Sequence, residues 1–274
     1  MEVKENNGSG EEEKIIFSDR CRCANDSGQL SFSRVMEKVN RLYDANDYSE
    51  AERIMLYWLS ESERTGDQRH AFSICNELMG IYRKNGNRDA ALFYLSKTLA
   101  LADDLCIRKR HEGAVALLNA ATVYEAFDLP EKAIILFDEA RSIFEQEETD
   151  GLLLAGLYNN MALTLTSLCR YPDAEKNFHS ALRLLQDRRD GLLETAMTYL
   201  NLADLYDKRK KDSDAAAIES ALDFAEKALR STDVRKDGYY AFVCEKCAPV
   251  FLYYGRFGIA GELGEEVRSY RERN

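Results

Sequence analysis

The feature that most constrains the fold is a column of alanines that recurs about every 40 residues, a period typical of repeats that stack side by side. Each alanine follows a short turn-like segment, and the intervals between successive members are similar except for one. The exception is the interval from Ala174 to Ala221, which contains a polar insertion at positions 208–217. The members of the column are Ala51, Ala91, Ala133, Ala174, Ala221 and Ala260.

A second column lies in the preceding helix, about twelve positions earlier except in the repeat that carries the insertion. It reads Ala121, Ala162, Ala203 and Ala248, with Val39 and Met79 in the first two repeats. Helices approach closely only where small side chains meet, so the two columns predict pairs of helices that cross tightly. One such hairpin leaves an apolar stripe uncovered, and stacking with its neighbours would bury that stripe. With only 3 Pro and 15 Gly, the chain has too few turn residues for a β-sandwich or propeller.

The turns carry residues that favour helix starts. Asp47, Asn87 and Asp128 precede second helices, and we expect their side chains to cap the free amides there. Pro130 and Pro172 fall in the first turn of second helices, where a missing N–H breaks no hydrogen bond.

These columns and turns resemble the tetratricopeptide repeat family over roughly positions 32–274. The units are longer than the usual length of about 34 residues. They also lack the closing Pro, as in the longer repeats of kinesin light chain and of regulatory helical-repeat sensors. The resemblance implies an all-α, right-handed α-solenoid of about six antiparallel helix hairpins, whose first helices line a concave groove. We place a flexible acidic tail at 1–30 and the repeat domain at 31–274, with units at roughly 32–70, 71–112, 113–153, 154–192, 193–236 and 237–274.

Three asparagines, Asn119, Asn160 and Asn201, recur at equal intervals, each two positions before a tightly packed alanine. Asn76 lies one position off this column in repeat 2, and Asn159 places a second asparagine next to Asn160 in repeat 4. Asn offers both a donor and an acceptor and is a poor helix former, so its repetition in mid-helix needs a reason. The pattern resembles the Asn ladder of the kinesin-light-chain groove, which implies contact with a peptide backbone. Hydrogen bonds between neighbouring repeats, or chance, are the alternatives.

Charged residues share the same helical face. Arg83 lies in repeat 2, Asp204 in repeat 5 and Lys246 in repeat 6, which predicts a groove that is basic near repeat 2 and acidic near repeat 5. Asn40 and Lys84 match the family's carboxylate clamp only in part, so a chaperone-tail reader is disfavoured.

The sequence offers no catalytic or metal-binding constellation. Cys244 and Cys247 form CEKC, but Cys21 and Cys23 lie at the opposite end of the sequence, whereas a zinc site needs four ligands from short knuckles. The three His stand alone, and no phosphate-binding or nucleophile motif occurs. We therefore expect a non-enzymatic protein with no catalytic residues, metal or cofactor.

The net charge of −11 disfavours nucleic acid or an anionic membrane as the main partner. No run of about 18 apolar residues and no signal-peptide pattern is present, and seven scattered Cys fit reduced thiols. We expect a cytoplasmic protein without membrane insertion.

The most direct function is a protein–protein interaction module that binds a peptide or a partner helix in the concave groove. Two alternatives remain open: a regulatory sensor that responds to a peptide, and a structural scaffold that oligomerises. For the latter, exposed aromatic area could come from a set of aromatic side chains. These are Trp58, Tyr239, Tyr240, Tyr253 and Tyr254.

Overall fold

The computed structural model describes residues 32–44, 47–147, 149–211 and 214–273; the predicted tail at 1–30 lies outside the described residues. This part of the chain contains twelve α-helices, a short 3₁₀ turn at Arg189–Gly191 and no strand. The helices are α1 Phe32–Asp44, α2 Tyr48–Thr65, α3 Gln68–Lys84, α4 Arg88–Asp104, α5 His111–Ala126, α6 Pro130–Gln146, α7 Gly151–Ser167, α8 Tyr171–Leu185, α9 Leu192–Arg209, α10 Ala215–Leu229, α11 Gly238–Tyr253 and α12 Phe257–Arg273.

Consecutive helices pair into six hairpins, from α1–α2 to α11–α12. The first helices α3, α5, α7, α9 and α11 also contact each other from one hairpin to the next, whereas the second helices do not do so to the same extent. Closer packing on the side of the first helices curves the stack towards them. This places the first helices on the inner wall. The predicted α-solenoid of six hairpins is therefore confirmed.

The alanine columns lie in the core of the hairpins. Ala121, Ala162 and Ala203 of the first helices are completely buried, and Ala133 and Ala174 of the second helices are buried equally. Large side chains fill the space beside these alanines, as close packing requires. The largest of them are Phe137, Phe144, Phe178 and Phe251.

The apolar core is built as consecutive blocks along the stack. One block runs from Val35 to Met161, and another from Ala196 to Leu263. A smaller cluster around Phe178 lies between them. Each hairpin therefore buries its apolar face mainly against its neighbours, as repeat architectures do.

Two of the three predicted capping residues act as caps. Asp47 Oδ1 accepts a hydrogen bond from the amide of Glu50 at the start of α2 (3.2 Å). Asn87 Oδ1 accepts one from the amide of Ala90 at the start of α4 (3.2 Å). Pro130 begins α6, as predicted.

The capping prediction for Asp128 is wrong. Asp128 adopts a left-handed conformation with φ of 57°, and α6 begins with no side-chain cap at Leu129. The chain reverses direction within a few residues between α5 and α6, and Asp tolerates the left-handed conformation better than most residues. Asp128 therefore supplies the turn rather than the cap.

The hairpins begin slightly earlier than the predicted unit boundaries at 71, 113, 154 and 193. Those positions fall inside the first turns of α3, α5, α7 and α9. Throughout the described residues, no helix combines the length and hydropathy needed to span a bilayer.

Candidate functional site

The candidate site is a row of polar side chains along the inner wall, which we call the ladder column. Each member lies two positions before the residue of the second column in the same helix. In α3 the residue of the second column is Met79, so the ladder residue is Glu77. The sequence interpretation missed Glu77 because it sought asparagine only, although the spacing from Met79 would have found it. The column comprises Glu77, Asn119, Asn160, Asn201 and Lys246.

At the α3–α5 junction the ladder is tied between repeats. Asn119 Nδ2 donates a hydrogen bond to Asn76 Oδ1 (3.2 Å). Asn76 has only 6% of its surface exposed, so its acceptor needs a partner inside the protein. Asn76 thus serves Asn119 rather than an open surface.

The α7–α9 junction repeats this arrangement. Asn201 Nδ2 donates to Asn159 Oδ1 (3.4 Å), and Asn159 Nδ2 donates to Thr198 Oγ1 (2.5 Å). Thr198 is completely buried and also donates to the Glu194 carbonyl (2.7 Å). Inter-repeat bonding, the second of the three interpretations, is thus present at four of the five predicted asparagines.

Three members of the column, Glu77, Asn160 and Lys246, lack such a tie. The tie requires an asparagine one position before the ladder residue of the preceding repeat. That position is Leu118 for Asn160, Met36 for Glu77 and Leu200 for Lys246, and none of these side chains offers a hydrogen-bonding N or O atom. Accordingly, Asn160 forms no side-chain hydrogen bond with the described residues, and Glu77 Oε1 is buried without a partner among them.

Open space lies beside Glu77 and beside Asn160. Gly156 precedes Asn160 by one helical turn, and Gly80 follows Glu77 by three positions, so each glycine shares a face with its polar neighbour. A Cβ atom added at Gly80 or at Gly156 would meet no atom within 4 Å. The wall is therefore recessed where its polar groups are unsatisfied.

The surroundings of Glu77 disfavour its negative charge. Burial raises the pKa of the Glu77 carboxyl from 4.5 to about 7, although the positive charge of Lys84 acts in the opposite direction. Burial and then the charge of Glu77 raise the pKa of the neighbouring Tyr43 hydroxyl. Tyr43 itself donates to Met55 Sδ (3.4 Å). Glu77 is therefore a partly desolvated carboxylate without a compensating donor.

The predicted charged residues differ in how they are held. Arg83 is half-buried on α3. Asp204 Oδ1 accepts a hydrogen bond from the Tyr254 hydroxyl (3.2 Å), which ties α9 to the last hairpin. Lys246 is exposed and its Nζ lies 5.3 Å from the centre of the Phe242 ring. The charges do not converge on one point but are distributed along the wall.

The thiols and aromatic residues singled out in the sequence are partly corrected. Cys244 and Cys247 are buried, and burial raises their thiol pKa values to about 11 and about 12. No group of His, Cys, Asp or Glu in the described ranges could hold a metal ion; Cys21 and Cys23 lie outside them. Tyr240, predicted as exposed aromatic area, is only 6% exposed because it packs in the core.

A family model matches part of the chain. Residues 153–232 match the tetratricopeptide repeat model. The resemblance inferred from the columns is thereby confirmed, and tetratricopeptide repeats generally mediate protein–protein interaction. A search of curated protein sequences gave no match.

Solved structures share the fold of this chain at low sequence identity. The apo form of the quorum sensor NprR from B. thuringiensis has a TM-score of 0.55 and 18% identity, covering 90% of this chain and 68% of that chain. BtubC (BKLC) from P. vanneervenii has a TM-score of 0.50 and 19% identity, covering 89% and 92%. A kinesin light chain candidate with nearly identical TPR-like repeats from Podosopora anserina has a TM-score of 0.50 and 15% identity, covering 73% and 94%.

Proposed function

We propose that this chain is a non-enzymatic protein-interaction module that binds an extended peptide along the inner wall of its first helices. The observation that carries the proposal is the combination of Asn160 and Gly156. Asn160 keeps both its donor and its acceptor available, and Gly156 leaves room beside it for another backbone. The backbone of an extended peptide could bond to both the NH₂ donor and the C=O acceptor of the Asn160 side chain, whatever the side chains of the peptide are.

The tied asparagines support this role indirectly. Asn159 is held by Asn201 and by Thr198, so the turn of α7 that carries Asn160 is fixed before any ligand arrives. Pre-organised groups bind better because less conformational entropy is lost on association. The ladder thus combines a structural part with a binding part.

The experiment uses a positional-scanning library of nine-residue peptides that are N-acetylated, C-amidated and fluorescently labelled. In each sublibrary one position is fixed as a single amino acid. Binding to the full chain is measured by fluorescence anisotropy for the native protein and for Asn160→Ala and Gly156→Leu. We expect both variants to weaken binding about tenfold, with unchanged helicity by circular dichroism.

Gly261→Leu is the matched control. Gly261 lies on the outer helix α12 and also has no atom within 4 Å of an added Cβ, so the same substitution there should leave binding unchanged. Equal affinity of the native protein, Asn160→Ala and Gly156→Leu would reject the inner wall as the binding site.

A peptide-responsive sensor is the second candidate. It is favoured by the position of Asn160 next to Asn159, which forms two of the hydrogen bonds across the α7–α9 junction. A ligand that contacts this turn would act on the spacing of α7 and α9, and hence on the curvature of the stack. Small-angle scattering with a library-selected peptide should then show a changed radius of gyration; an unchanged profile argues for a static binding module. The scaffold alternative predicts self-association, which light scattering over a range of concentrations would detect.

A further inference from the structure

Glu77 replaces asparagine in the ladder column. The ladder residues of α5, α7 and α9 are Asn119, Asn160 and Asn201, each of which can donate and accept hydrogen bonds. An ionised carboxylate can only accept, and it carries a negative charge. The end of the wall at α3 therefore presents a different chemistry from its centre.

The fold does not satisfy this carboxylate. Asn119 is tied to the preceding repeat through Asn76, but the corresponding residue before Glu77 is Met36 of α1. As a result, Glu77 Oε1 is buried without a hydrogen-bond partner among the described residues. A buried oxygen of this kind costs free energy until a donor reaches the group.

A ligand has room to supply that donor. Gly80 lies three positions after Glu77 on the same helical face, and an added Cβ there would touch nothing within 4 Å. The surface next to the carboxylate is thus open on the Gly80 side. Access and an unsatisfied acceptor occur at the same place.

We propose that Glu77 recognises a basic side chain, Lys or Arg, of a peptide whose backbone lies along the wall at Asn160. This inference rests on the proposed peptide-binding function. A charged donor matches a carboxylate better than a neutral one does, because charge-assisted hydrogen bonds are about twice as strong. The net charge of −11 also favours the approach of a basic segment.

The geometry of the stack sets the spacing in the ligand. Neighbouring first helices lie roughly 10 Å apart, so α3 and α7 are separated by roughly 20 Å. An extended chain rises about 3.3 Å per residue. The basic residue should therefore lie about six residues from the segment that contacts Asn160.

The test measures the residue preference of the same peptide library at each position. The native protein should prefer Lys or Arg over Ala about tenfold at one position. Glu77→Gln should remove that preference while it retains binding of the remaining sublibraries. The peptides are acetylated, so an N-terminal ammonium group is excluded as the source of the signal.

Glu37→Gln is the matched control, since Glu37 occupies the ladder register of α1 but is exposed and pairs with Arg41 (3.7 Å). It should leave the preference intact. Binding without a basic preference, or a preference that persists in Glu77→Gln, overturns the role of Glu77 and leaves the groove function standing. Absence of binding to every sublibrary overturns both proposals.

Discussion

Replacing Glu77 by Gln should stabilise the protein, in contrast to most substitutions of a partly buried residue. Burial raises the pKa of this carboxyl from 4.5 to about 7, so the folded state holds the proton more tightly than the unfolded state does. Stability is therefore lost as the pH rises through this window. Between the ordinary pKa of 4.5 and the raised pKa of about 7, the free energy of unfolding should fall by up to about 3 kcal/mol.

The assay is urea denaturation followed by circular dichroism from about pH 4 to about pH 8.5. At low pH the carboxyl is neutral in both states, and the native protein and Glu77→Gln should have similar free energies of unfolding. At high pH the variant should be more stable by up to about 3 kcal/mol. Glu37→Gln should show a difference of less than about 1 kcal/mol, because surface ion pairs contribute little.

A stability difference between the native protein and Glu77→Gln that does not change with pH would refute the reasoning, since it would show that the carboxylate pays no desolvation penalty. Lower stability of the variant at high pH would show that the ionised group has an internal donor. The stability and binding results together also form a test, because the variant should gain stability while it loses the preference for basic peptides.

Asn119→Ala should destabilise the protein by about 1–2 kcal/mol, since it leaves the buried Asn76 acceptor without its donor. Asn160→Ala should change the free energy of unfolding by less than about 0.5 kcal/mol. Urea titrations of the two variants test this difference. Arg209→Ala should lower the free energy of unfolding by about 3 kcal/mol, because the Arg209 guanidinium donates two hydrogen bonds to the buried Asp214 carboxylate at 2.8 Å each. The expected result is a lowered Tm at both low and high salt. Gly80→Ala should raise the free energy of unfolding by about 0.5–1 kcal/mol, since Gly is a poor residue in mid-helix and the added methyl group meets no neighbour; a decrease in stability would mean that the recess is smaller than described.

Most of the fold could be predicted because packing acts locally in each repeat. Ala121, Ala162 and Ala203 recur in phase, and only close helix crossings require that phase. Pro130 could be placed for the same reason, as its backbone fits one position of a helix. Asp128 was misplaced because Asp is favoured both as a cap and in the left-handed conformation, and the choice depends on the angle between α5 and α6.

The site was harder to predict because its chemistry depends on the register between helices. The asparagine column was visible, but which asparagines would bond each other depended on the residue one position earlier in the preceding repeat. Asn76 provides an acceptor there, whereas Met36 and Leu118 do not. Glu77 was overlooked because a search for one residue type hides a substitution within the column, and the substitution is the more informative observation.

The division of the core into consecutive blocks has a consequence for how the chain is made. Every substantial helix–helix contact lies within one hairpin or joins adjacent hairpins, so no early element has to wait for the far end of the polypeptide. Contacts of short sequence separation also form quickly. The protein can therefore acquire its structure hairpin by hairpin during translation, and α3 with its ladder carboxylate can be in place before the last two helices have left the ribosome.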